Sequence, residues 1–287
     1  MTDPSQVPPL PQSGRRSPGL LYGAQRVFAM SIGQMLWSRR TVFMGLVVGL
    51  PVLVALILRL LVEAGIPLMA RGRTPVAGPM IFGFMMWGFF VRFSIPVLAI
   101  FYGTSLMADE VEDKTLTYLF TRPIPRGAVL LGKYLAYAAC TISVVLPAVT
   151  LVWLLVVPIG ASLGASFPDL LKDLTLLVLG LLVYGGVFAL AGTLLKRPLI
   201  FGLLFVFGWE MLVMALPGYF KRLTVAYYLQ GLVPHAIPGD SALDIMQALF
   251  HEVPSLTESL LGLGVIAIVS IAIAVRTVSR REYVLEQ

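Results

Sequence analysis

The sequence is short of charge. Only 13% of its 287 residues are Asp, Glu, Lys or Arg, about half the share that a water-soluble domain carries. It has one cysteine, Cys140, inside an apolar run, which excludes an intrachain disulfide and any cysteine-based metal site. Histidine is nearly absent. His235 and His251 lie sixteen residues apart near Asp240, Asp244 and Glu252, without the i,i+3 or i,i+4 spacing of a helical metal site, so no metal is expected. What the chain has in quantity is apolar surface: 58% hydrophobic residues and a mean hydropathy of +0.89. These come in long unbroken runs, which excludes disorder, collagen-like repeats, disulfide-rich scaffolds and a water-soluble enzyme as the main body.

A helix crossing a hydrocarbon layer of about 30 Å needs roughly 20 mainly apolar residues. Six stretches meet or approach this: 42–62, 80–107, 134–157, 174–195, 199–216 and 259–275. The last two are short and are expected to extend into flanking polar residues; the second is long enough to tilt or project. None alternates apolar with polar, so a barrel is excluded and the predicted class is an all-α integral membrane protein with six transmembrane helices.

An even number of crossings puts both ends on one side, with the loops 108–133 and 196–198. That side holds fourteen basic residues, among them Arg26, Arg39, Arg40, Lys114, Arg122, Arg126, Lys133, Arg276 and Arg280. The other holds five: Arg71, Arg73, Lys172, Lys221 and Arg222. The asymmetry predicts cytoplasmic termini in a cell (inner) membrane. It also accounts for the net charge of +6, so no nucleic acid is expected as partner. Residues 1–21, rich in proline, are predicted to be a disordered cytoplasmic tail, with no cleaved leader. Residues 22–37 place Val27, Phe28, Met30, Ile32, Met35 and Leu36 among polar residues and predict an amphipathic helix lying in the membrane interface. The membrane domain proper is 22–287.

The segment 108–127 is the most informative. Asp109, Glu110, Glu112 and Asp113 put four carboxylates within five residues, on the side where bases dominate. Val111, Thr115, Leu116, Leu119 and Phe120 follow at helical spacing. Pro123 and Pro125 then stop the helix, flanked by Arg122 and Arg126. A short helix with an apolar face, and no soluble domain in the chain to cover it, implies a partner.

This loop resembles the first cytoplasmic loop of type-2 ABC-exporter permeases. The family pattern is an acidic residue, Gly-Thr-Leu, a Leu-rich turn, a Pro-Ile or Pro-Val pair and an arginine, matched by Thr115, Leu116, Leu119, Pro123, Ile124 and Arg126, with Lys114 in place of the glycine. The six spans and the interfacial first helix agree, and the layout is similar to single-domain permeases of the kind that serve nitrous-oxide-reductase maturation. The resemblance implies that the loop is a coupling helix in which Glu110, Glu112, Asp113, Thr115, Leu116, Leu119, Pro123 and Arg126 engage a separate ABC ATPase subunit. That subunit, expected in two copies, would bind ATP and Mg. It implies a second permease protomer, identical or not, and a bacterial or archaeal cell membrane.

Gly127 to Lys133 nearly spells a phosphate-binding P-loop, but Tyr134 stands where a small hydroxyl is needed, no strand precedes it and an apolar span follows. The chain is therefore not expected to hydrolyse ATP, and it needs no cofactor of its own. Three charges lie within spans. Arg59 is near a helix end and can snorkel; Arg92 and Glu210 both fall near mid-membrane. These two read either as a structural ion pair between helices or as part of the substrate path. The glycines Gly180, Gly185, Gly186 and Gly192 allow close helix packing. The outer segment 217–258 reads as short helices on or re-entering the outer leaflet, or as a surface loop. The alternative function is an ion-coupled secondary transporter using Glu210 and Arg92, which would call for internal repeats and paired acids that the sequence lacks.

Overall fold

A computed structural model describes residues 20–66, 77–106, 125–215, 219–233 and 254–280. Among them every regular element is helical. We number the helices α1 (Leu20–Leu36), α2 (Arg39–Glu63), α3 (Gly78–Gly103), α4 (Arg126–Val156), α5 (Leu163–Leu194), α6 (198–215), α7 (Val225–Gln230) and α8 (Leu256–Arg280). Five of them, α2, α3, α4, α5 and α8, are long and apolar enough to cross a membrane. The sixth predicted crossing, α6, is shorter than the rest and leads into a segment that folds back. The last predicted crossing does extend into its polar flanks, as Leu256–Arg280.

Helix starts follow local chemistry. Pro79 and Pro198 stand in the first turns of α3 and α6, where the missing N–H has no intrahelical partner to lose. Pro125 precedes α4. α8 opens on a reciprocal capping box: the Glu258 N–H donates to Ser255 Oγ at 3.2 Å, and the Ser255 N–H donates to Glu258 Oε2 at 3.1 Å. At the junction of α1 and α2, the Ser38 and Thr41 hydroxyls both donate to the Met35 carbonyl, fixing the bend between the two helices.

Contacts at the helix ends give the directions: α4 runs antiparallel to α3 and α8, and α3 runs parallel to α5. Gly78, at the start of α3, donates its N–H to the Ile159 carbonyl just past the end of α4. At the opposite end, Gly127 of α4 packs on Val275 and Ser279 of α8. Gly192, near the end of α5, packs on the Thr104 backbone just past α3. Arg40, Arg126, Lys196, Arg197 and Arg280 therefore share one end of the bundle, called here the basic end.

α5 is the hub. Its apolar window is 61% buried, as is that of α3, against 28% for α2 and 22% for α8. The glycines picked out for close packing each receive a different neighbour: Gly180 takes Ile95 of α3, Gly185 the Tyr137 ring of α4, Gly186 Ile271 of α8 and Gly192 the Thr104 backbone. Two tyrosines of α4 reinforce this, with Tyr134 and Tyr137 donating to the Leu182 and Leu181 carbonyls at 2.8 and 3.0 Å. Bonds of this kind are worth about 1 kcal/mol each in a membrane.

α1 lies along α4. Ala24 and Ser31 are buried, and Gly132 of α4 meets the Ala24 carbonyl and Val27. Leu21 and Met30 stay exposed, as does Trp37 just past the helix, at 93%.

Gly192→Ala and Gly185→Ala should each destabilise the protein by about 2 kcal/mol through overpacking. Gly45→Ala, with nothing within 4 Å of the added methyl, should be neutral or stabilising by up to about 1 kcal/mol. Thermal unfolding in detergent, followed by size-exclusion recovery, checks the difference.

Candidate functional site

Both mid-membrane charges stand on widened helix turns. Arg92 belongs to the π-helical stretch Met86–Ser94 of α3, and Glu210 closes the π-helical stretch Phe205–Glu210 of α6. Such turns are energetically poorer than α-helix and often mark functional positions. Glu210 is twelve residues on from Pro198, so its depth is about 18 Å from the basic end at 1.5 Å per residue. Tyr184 of α5 lies ten residues from Leu194, at nearly the same level.

The Glu210 side chain is 3% exposed. Its carboxylate accepts from the Tyr184 hydroxyl, which reaches Oε2 at 2.6 Å, and from the Val225 N–H, which reaches Oε1 at 3.1 Å, with the Ala226 N–H beside it. Val225 is the first residue of α7, after Thr224, whose hydroxyl oxygen caps the helix by accepting from the Tyr227 N–H. The N–H groups of a first helical turn have no partner within the helix and carry its positive dipole end. They suit a carboxylate that lipid cannot solvate.

α7 therefore packs back against the bundle. After α6 the chain makes a 3₁₀ turn at Tyr219–Leu223 and returns toward the bundle. There Val225, Ala226, Tyr227 and Leu229 are buried against α5 and α8. Gly231 sits against Pro254 and Ser259, and Tyr228 lies over Gly262. Residues 219–233 of the outer segment thus form a 3₁₀ turn and a short helix packed on the bundle. His235, His251, Asp240, Asp244 and Glu252 lie outside the described residues.

The Arg92 guanidinium lies over the Trp87 ring, 5.9 Å from its centroid, within cation–π range. Trp87 is five residues earlier, a separation that π turns bring together. Arg92 and Glu210 line one cavity of about 70 Å³, together with Tyr184, Val206, Ala226 and Leu229. The structure thus brings the two charges to one place, but a direct bridge between them is not among the ion pairs of the described residues. The expectation of a contact ion pair needs that correction, because the carboxylate is already held by Tyr184 and Val225. The cavity has room for water between the two charges. Arg59 behaves as the sequence implied: it pairs with Glu63 at 2.8 Å in an exposed position at a helix end.

Of the predicted coupling residues, Glu110, Glu112, Asp113, Thr115, Leu116, Leu119 and Pro123 lie outside the described residues. Arg126 opens α4 at the basic end, directly after Pro125. Leu106 and Pro125, the nearest described residues on either side, tie the loop to that end of the bundle.

Residues 60–275 match the family described as ABC-2 family transporter protein, three quarters of the chain and the whole loop among them. The chain is an ABC-2 family transporter protein. It is a multi-pass membrane permease, the membrane-spanning component of an ABC transporter and not itself the ATPase. Comparison with curated proteins finds no match.

Sequence reasoning found both charges of the permease and missed their actual partners. Counting depth along both helices would have placed Tyr184 level with Glu210. Nothing in the residue pattern foretold that a backbone N–H would be the second donor.

Glu210→Leu should destabilise the permease by about 3 kcal/mol, because it strands a buried hydroxyl and a buried N–H. Arg92→Leu removes a half-buried group resting on an aromatic face, so its cost should be about 1 kcal/mol. Chemical unfolding in mixed micelles ranks the two; equal costs would contradict the assignment of donors.

Proposed function

We propose that this permease is the membrane-spanning subunit of an ATP-driven exporter and is worked through the loop 108–127 by a separate ABC ATPase. Nucleotide and Mg bind to that ATPase. Two ATPase copies serve a pair of permease protomers, and the substrate passes between the protomers. Both termini and the basic end face the cytoplasm of a bacterial or archaeal cell.

The match to the ABC-2 family across residues 60–275 carries this reading. Family membership brings the expectation of an external ATPase, and the acidic, proline-stopped loop supplies a place for it. The geometry around the loop is suited to a lever. The loop joins α3 to α4 at the basic end. α4 is 31 residues long, packs along α1 and α2, and its Gly127 is wedged against Val275 and Ser279 of α8. A push on the loop therefore moves α3, α4 and α8 together. The basic end holds Arg26, Arg40, Lys196, Arg197, Arg276 and Arg280, which suits the anionic cytoplasmic leaflet.

Charge reversal at Glu112 and Asp113, each to Lys, should abolish co-purification of the ATPase while leaving the chain inserted and monodisperse. Pro123→Ala should weaken the same association. Undiminished ATPase recovery with both variants would overturn the assignment of the loop. A cysteine at Ser13, in a Cys140→Ala background, should resist a membrane-impermeant maleimide in intact cells and react once the membrane is opened.

A further inference from the structure

We infer that Glu210 and Arg92 form a two-position latch on the returning helix α7. In the structure Glu210 holds the first N–H of α7 at 3.1 Å and the Tyr184 hydroxyl at 2.6 Å, while Arg92 rests on Trp87. In the second position the Arg92 guanidinium leaves the Trp87 face, crosses the shared cavity and takes the carboxylate. α7 then loses its hydrogen bond to Glu210 and is held by packing alone. The inference rests on the permease reading and adds to it a mechanism by which the spans release the far end.

Four observations bear on this. Both charges line the same cavity of about 70 Å³, so the two face one space. Arg92 has a resting place of its own: a cation–π contact of the kind worth about 1 kcal/mol, weak enough to be exchanged for a carboxylate. Both residues stand on π-helical turns, which can pass to α-helix with a change of register and thereby re-aim the side chains they carry. Finally, α7 is only six residues long and is wedged between α5 and α8. A helix this short does not hold itself in place, so its position depends on its anchors.

The Arg92 rotation is tied to the spans by packing. Ile95, one turn after Arg92, lies against Gly180 of α5, and Phe93 meets Phe207 of α6 with ring centroids 6.4 Å apart. A displacement of α3 against α5 and α6 therefore carries Arg92 relative to Glu210. The latch makes α7 answer to that displacement.

The test is hydrogen exchange of the purified full-length chain in lipid nanodiscs, read on peptides covering residues 224–230, with the middle of α5 as internal reference. It needs no ATPase, so a failed docking experiment leaves it standing and the reverse also holds. Glu210→Ala should speed exchange in 224–230 by about tenfold, the worth of one hydrogen bond to a charged group, and leave α5 unchanged. Arg92→Gln removes the competing partner and should slow exchange there by about threefold, because the anchored state gains population. If Arg92→Gln leaves exchange unchanged or speeds it, Arg92 merely supports the carboxylate and the latch is wrong. The Arg92→Gln arm decides the matter even if Glu210→Ala fails to fold.

Discussion

A carboxylate at mid-membrane must be given hydrogen-bond donors by the protein, since lipid has none to offer. Backbone N–H groups inside a helix are already bonded, which leaves side-chain donors and the first turn of some helix. Glu210 uses one of each, the Tyr184 hydroxyl and the Val225 N–H. Much of the far half of the fold follows from this requirement. For a helix start to arrive at the level of Glu210, the chain leaving α6 has to turn at once and come back. That is why α6 is short, why a 3₁₀ turn follows it and why α7 sits between α5 and α8 instead of on the surface.

Glycine provides the rest of the architecture. α5 presents four glycines to four different contacts, and the close approach at each leaves no room for a methyl group without displacing a neighbour. In lipid, apolar surface supplies little driving force between helices, so such contacts and the Tyr134 and Tyr137 bonds to α5 do the aligning. The outer helices are different. α2 and α8 are the least buried of the long helices, as helices are that face lipid or a second copy.

Much of this was legible in the residues. Hydropathy gave the five long crossings and the position of the sixth, and amphipathic spacing at 22–37 gave α1, because lipid imposes simple rules on composition and length. The glycines of α5 were read correctly as packing sites. The match with the ABC-2 family agrees with what the loop Glu112–Arg126 resembled. What stayed hidden has a common cause. The partner of Glu210 is a backbone group, which no residue pattern advertises, and opposite charge at equal depth favoured Arg92 as a contact partner over Tyr184. The π turns of α3 and α6 were equally invisible, since their residues are ordinary helix formers by composition.

The account stands or falls on whether Glu210 holds the start of α7. Val225 offers a direct test. It is the first residue of its helix and follows a residue in extended conformation, Thr224 with ψ of 145°, so proline fits the backbone there and deletes the N–H, while the change to the buried Val225 side chain is common to both backgrounds. A double-mutant cycle of Val225→Pro with Glu210→Ala, measured by unfolding in lipid micelles, isolates the one bond. Val225→Pro should cost about 2 kcal/mol more when Glu210 is present than when it is absent. Equal costs in both backgrounds would mean that the carboxylate does not anchor the returning helix, and the explanation of the far end would fail with it.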